Sequence, residues 1–246
     1  MTTNKYGLSR NIPARVAQQV RQECGFGCVI CGASLTQYDH VDPVHAEAIN
    51  HEASCIALLC GSCHDRKTRK FCSAETIAAA RLQPKCRSTG FSWGEFDFGG
   101  EAPPILLLGS NVISQCRVAL EVAGEPALAF SAPEAPGGPF RLNAKFRDGD
   151  NAPLLEVFEN EWRVNSGSWD ATFVGGKIDI QSPDKLGHIT LECLPPTAIR
   201  VLSMDLRLNG ARLVCDGDGF GYQHGHGLKQ FIRGAQLSRS PVGMSV

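Results

Sequence analysis

The sequence predicts an α+β protein, with a small cysteine-stapled module of helices and short strands ahead of an all-β, sandwich-like domain. Three observations lead there. Six of the eleven cysteines, Cys24, Cys28, Cys31, Cys55, Cys60 and Cys63, fall within one short N-terminal stretch. Helical periodicity is concentrated in the first third of the chain. Beyond about Pro84, short alternating runs recur at roughly ten-residue spacing between Gly, Pro, Asn and Asp, the pattern of a β-sandwich or barrel.

The elements follow in order. Residues Asn11–Cys24 are expected to form a helix. Pro13 suits its first turn, Val16, Ala17 and Val20 recur at helical spacing, and Gly25 and Gly27 end it. "CVICG" is a tight cysteine turn. "SLTQYDHVDP" is expected to be a strand closed by Pro43. "VHAEAINHEA" is either a short helix or a loop. "CIALLC" is short and apolar, either a strand or the edge of a small core. Ser73 then starts an alanine-rich helix. Residues 1–88 make the first domain. Gln83–Gly100 is expected to be linker, and 92–235 the β-rich domain. "DGD" at Asp148–Asp150 and "LNGAR" at Leu208–Arg212 have hairpin-turn chemistry. The residues from Gln236 onward are expected to fray.

A length of 246 residues suits one large domain or two ordinary ones. No apolar run reaches 18 residues, so no membrane span is expected. The N-terminal residues lack the apolar stretch of a signal peptide, which points to the cytoplasm. In that reducing compartment, clustered cysteines are metal ligands or catalytic groups more readily than disulfides. Net charge is −1, unevenly spread: residues 1–90 carry 11 Lys+Arg against 7 Asp+Glu, and the remainder 13 against 18. Any contact with a polyanion is therefore expected on the first part.

Cys28-x2-Cys31 and Cys60-x2-Cys63 are two matched pairs, 28 residues apart. Each pair offers two thiolates at tetrahedral spread, and together they close a four-cysteine site suited to structural Zn2+. Cys24 and Cys55 have no partner at ligand spacing and are expected in the core. Such a zinc site has no need of His64, which directly follows Cys63. The insert between the pairs holds Asp39 and His40. If the zinc pins that strand against the segment carrying His64, a carboxylate and two imidazoles converge. A divalent ion could then take Asp39 and His64, leaving His40 as a general base. Arg66 and Lys67 lie next door, placed to contact phosphates.

"CVICG … YDHVDP … LLCGSCHDRKT" resembles the zinc-bearing HNH endonucleases, over about residues 10–80. The resemblance implies a zinc-stapled ββα-metal domain. It implies His40 as general base, with Asp39 and His64 as catalytic ligands of Mg2+ or Mn2+. Cys28, Cys31, Cys60 and Cys63 would be structural zinc ligands. The expected activity is hydrolysis of DNA, in bacterial defence or a mobile element. One position departs from the family: Cys55 stands where it usually carries Asn, and Asn50 and His51 are the nearby residues able to replace its contacts. That departure keeps open a catalytically degenerate, zinc-stabilised nucleic-acid-binding module.

Other features have blander readings. His45 and His51 are expected to satisfy a loop. "QHGHG" at Gln223–Gly227 has no carboxylate cluster nearby and reads as a flexible loop. "LGSN" and "GDGFG" lack the strand–helix context of a nucleotide loop and read as turns. Trp93, Trp162 and Trp169 are expected to pack the β-domain. That domain is expected to bind a protein, a ligand or a second copy of itself.

Overall fold

Short amphipathic helices come first in this chain and alternating strands dominate afterwards. The computed structural model, which describes residues 3–227 and 229–246, follows that change in pattern. It is mixed α+β, with few helices and large sheets. Two compact units emerge. One comprises residues up to Gly94 together with Asn165–Asp170, and the other comprises Glu95–Val164 with Ala171–Val246.

In the first unit, helix α1 spans Ala14–Cys24, with Pro13 as its N-cap and Gly25 as a left-handed C-cap. Ala17, Val20 and Cys24 form its buried stripe, as i, i+3, i+7 spacing requires. Strands β1 (Thr36–His40) and β2 (Ile56–Cys60) pair antiparallel, with Asp39 opposite Ala57 and His40 opposite Ile56. Ile56, Ala57, Leu58 and Leu59 are all buried, so β2 is covered on both faces. Helix α2 (Gly61–Thr68) begins directly after β2, capped by the Cys60 sulfur, which accepts the Cys63 N–H. Helix α3 (Ala74–Leu82) starts at Ser73, whose hydroxyl accepts the Thr76 N–H at 3.1 Å. Arg81 of α3 donates to the carbonyls of Ile56 and Ala53 and pairs with Glu23, tying α3 to the start of β2 and to α1. Val20, Ile56, Leu58, Leu59, Ile77 and the cysteines Cys24, Cys28 and Cys63 share one small core.

The expected linker is ordered structure. Pro84 caps helix α4 (Lys85–Thr89), in which Cys86 is fully buried, and strand β3 (Phe91–Glu95) follows. The Pro and Gly that suggested a linker are its caps, at Pro84 and Gly90. Trp93 belongs to this unit, its indole N–H donating to the Cys31 carbonyl at 3.0 Å. Trp169 is also here, in the segment Asn165–Asp170. Its carbonyl accepts from Gln22, while Asp170 takes a two-point contact from Arg21, which also donates to the Tyr38 hydroxyl at 2.7 Å. Among the three tryptophans, Trp162 alone packs in the β-rich unit, against Phe96 and Phe173.

The second unit contains two large sheets. One runs in the order Val242–Ser245, Val118–Val122, Glu125–Ser131, Arg141–Arg147, Pro153–Phe158, Glu161–Asn165. The other is a meander from Asp170–Val174 to Gln230–Ile232, extended by Ile105–Leu108, Asn111–Ser114 and Gln236–Ser238. Burial alternates along many of the strands, as in Arg141–Arg147 and Lys177–Gln181. Both expected turns are present. Asp148 accepts the N–H groups of Asp150 and Ala152, and Asn209-Gly210 adopt positive φ between Leu208 and its partner Ala211. The C-terminal residues do not fray. Gln236–Ser238 and Val242–Ser245 add as parallel edge strands, and Met244 is buried. Leu237, Val242 and Met244 supply apolar contacts that the polar composition masked. Replacing fully buried Leu59 with Ala is expected to destabilise the first unit by about 2–5 kcal/mol, measured by urea unfolding.

Candidate functional site

The cysteine knuckle is built by local backbone geometry. The Gly32 N–H closes back on the Cys28 carbonyl at 2.8 Å, with Gly32 at φ +85°, a conformation glycine adopts without strain. Gly27 admits no side chain, because a Cβ there would lie 2.7 Å from both the Cys86 sulfur and the Gly32 carbonyl oxygen. The second pair straddles the β2–α2 junction. The four sulfurs of Cys28, Cys31, Cys60 and Cys63 all lie within 4.8 Å of one another, and Cys31 and Cys60 are 3.5 Å apart. Sulfurs on a tetrahedral zinc at about 2.3 Å are roughly 3.8 Å from each other. The donor set and spacing therefore fit a structural metal such as zinc. All eleven cysteines are free, so no disulfide competes for these sulfurs.

The surroundings favour a thiolate at one corner. A hydrogen bond from Cys31, against the opposing effect of burial and helped by backbone N–H groups, pushes the Cys28 thiol down to about 5. Burial and the Cys28 charge push Cys63 up to about 12. Divalent-metal binding displaces such shared protons. Cys24 is fully buried in the core, as expected. Cys55 is not a core residue. It is half-exposed, its thiol facing only Ser54 and Glu52, while its carbonyl accepts the Val41 N–H at 2.9 Å.

Past the end of β1, an open cleft of about 650 Å³ is lined by Asp39, His40, His45, His64, Lys67 and Arg10, among others. The antiparallel register places Asp39 near the β2–α2 junction, and His64 lies in the first turn of α2. Asp39 Oδ1 is 3.6 Å from His64 Nε2. The side chain of Lys67, one turn on, bonds Asp39 Oδ2 and also donates to the His40 carbonyl at 3.2 Å. Lys67 is thus turned inward, away from the surface where a phosphate would lie. Arg66 is exposed. Two cis ligands of a magnesium-like ion are about 3 Å apart, so Asp39 Oδ1 and His64 Nε2 fit a shared divalent ion after a small side-chain movement.

His40 is buried, and burial, reinforced by His51 and His45, lowers its pKa, favouring neutral imidazole at pH 7. His51 Nδ1 lies 3.2 Å from His40 Nε2, and the His40 and His45 rings meet edge-on at 5.2 Å. Asn50 is exposed. The N-terminal segment completes the cleft. Asn4 donates to the carbonyls of His45 and Ala48, and the Ser9 carbonyl faces Nε2 of both His45 and His51. Sequence reasoning did not include Arg10 or Ser9 in the site, and took His45 and His51 for ordinary loop residues. The "DH…H…H" run in Asp39–His51 was the available signal. The "QHGHG" residues belong to the other unit.

No family model, curated protein or solved structure matches the chain. No helix among the described residues is long and apolar enough to cross a membrane.

Replacing Cys63 with Ser is expected to abolish stoichiometric metal, measured by elemental analysis. A strong chelator is expected to lower the melting temperature of the first unit. Metal affinity is expected to fall as pH falls, because protons compete for the sulfurs. A melting curve unmoved by chelation would contradict the metal reading.

Proposed function

We propose that the chain is a metal-dependent endonuclease that hydrolyses phosphodiester bonds of DNA. Its first unit would be a zinc-stapled ββα-metal module of the HNH kind, with Cys28, Cys31, Cys60 and Cys63 on zinc. One juxtaposition carries the reading. Asp39 and His40 end one strand, His64 opens the helix after the partner strand, and Asp39 Oδ1 stands 3.6 Å from His64 Nε2 in an open cleft. When bound there, Mg2+ or Mn2+ supplies stabilisation of the negative charge that builds on phosphate and leaving oxygen.

The residues divide the remaining work. Lys67 occupies Asp39 Oδ2 and leaves Oδ1 directed toward His64. His40 takes a proton from water as the water oxygen bonds to phosphorus. The bond from phosphorus to the sugar oxygen breaks, and that oxygen acquires a proton from solvent. Arg10, on the cleft wall, and exposed Arg66 contact backbone phosphates, which position the strand and carry little sequence information. A role in bacterial defence or a mobile element belongs to the same proposal and rests on the resemblance alone.

A second reading has one specific observation behind it. Cys55, at the family's Asn position, directs its thiol to Ser54 and Glu52 rather than toward His40. A binding module without cleavage accommodates that change.

Plasmid cleavage with Mg2+ or Mn2+ separates the two. His40→Ala is expected to lower the rate by roughly 10²–10⁴-fold, and His64→Ala to remove metal dependence together with activity. Arg10→Ala is expected to weaken DNA binding and reduce its salt slope by about 1. If wild type and both histidine variants behave alike across metals, the nuclease reading fails. A DNA mobility shift without cleavage would support the binding module.

A further inference from the structure

The loop between β1 and β2 brings His51 behind His40. His40 lines the cleft, whereas His51 does not. The three imidazoles do not form a metal cluster. Among the described residues, the four cysteines are the one group that brings three or more His, Cys, Asp or Glu ligand atoms within 4.8 Å. Their arrangement instead fixes where protons lie.

The chemistry runs outward from Ser9. A backbone carbonyl only accepts hydrogen bonds. His51 Nε2, 3.0 Å from the Ser9 oxygen, therefore carries its proton toward that oxygen. In an uncharged His51 the other nitrogen, Nδ1, is then an acceptor. It lies 3.2 Å from His40 Nε2, so His40 Nε2 is the donor of that pair. A neutral His40 with its proton on Nε2 has its lone pair on Nδ1. No protein hydrogen bond among the described residues engages that atom. The Ser9 segment is itself held in place. Asn4 donates to the His45 and Ala48 carbonyls at 2.6 and 2.7 Å, and His45 Nε2 approaches the same Ser9 oxygen at 3.3 Å.

We propose that His51, oriented by the Ser9 carbonyl, is a positioning residue that locks His40 in the Nε2–H tautomer and makes Nδ1 the proton-accepting atom. The consequence for catalysis rests on the nuclease reading above; the tautomer itself does not. During hydrolysis the proton leaves water and forms an N–H bond at His40 Nδ1. The resulting imidazolium keeps its Nε2–H directed at His51 Nδ1, and no proton passes to His51. Because that hydrogen bond strengthens as charge develops, it acts on turnover more than on substrate binding. This also supplies a support for His40 that the Cys55 side chain does not.

The test uses the full-length, metal-loaded protein. Imidazole 15N chemical shifts report which nitrogen of His40 is protonated, without DNA present. Wild type is expected to show the Nε2–H form, His51→Ala to show a mixture, and His51→Asn to restore Nε2–H, because the Asn carbonyl can stand in for Nδ1. In plasmid cleavage, His51→Ala is expected to lose about 10- to 100-fold in kcat with little change in KM. His51→Asn is expected to recover most of that loss. An Nδ1–H form of His40 in wild type overturns the proposal without any variant, as does an unchanged tautomer in His51→Ala. If the shifts behave as expected but wild type cleaves no DNA with any divalent metal, the nuclease reading falls and the tautomer lock stands.

Discussion

Four sulfur atoms drawn from two distant turns are the constraint on which the first unit depends. One pair closes the knuckle after α1, and the other lies where β2 becomes α2. Held together, they fix the position of the first turn of α2, and His64 follows the last sulfur ligand directly. The β1–β2 register then delivers Asp39 to within 3.6 Å of that imidazole. The hydrophobic core here is small, with β2 at its centre and one face each of α1 and α3 against it. A core of that size supplies limited stabilisation, which is why a metal clamp has a structural role to play in so short a stretch of chain.

The cleft combines groups that would be costly apart. Asp39 is mostly buried and is balanced by Lys67 and His64. That pairing gives the carboxylate one occupied oxygen and one directed into the cleft. His40, buried and neutral, is held by an uncharged neighbour rather than by a carboxylate. The design differs from the common His–carboxylate arrangement, and it keeps negative charge away from a place where phosphate is to approach.

What the sequence revealed and what it hid divide along a physical line. Contacts made by contiguous residues were legible. The Cys-x2-Cys turns, the amphipathic stripe of α1 and the Ser73 cap each come from spacing within a few residues. Asp39, His40 and His64 were legible as a group because two matched cysteine pairs bracket them. The His51–His40 contact was not, because it closes across a turn-rich loop with no periodicity. Lys67 turns inward because it follows His64 by one helical turn on the face toward Asp39, and composition alone suggested a solvated basic run. Trp93 and the Asn165–Asp170 segment depend on long-range docking that no local pattern encodes. The C-terminal strands were concealed by polar residues between Leu237, Val242 and Met244, whose backbone bonds add them to sheet edges.

Everything assigned to the cleft rests on the sulfur clamp. X-ray absorption at the zinc edge on the purified protein tests it most directly. One zinc per chain surrounded by four sulfurs at about 2.3 Å is the expected result. A shell of nitrogen and oxygen ligands, or no stoichiometric zinc at all, would contradict it.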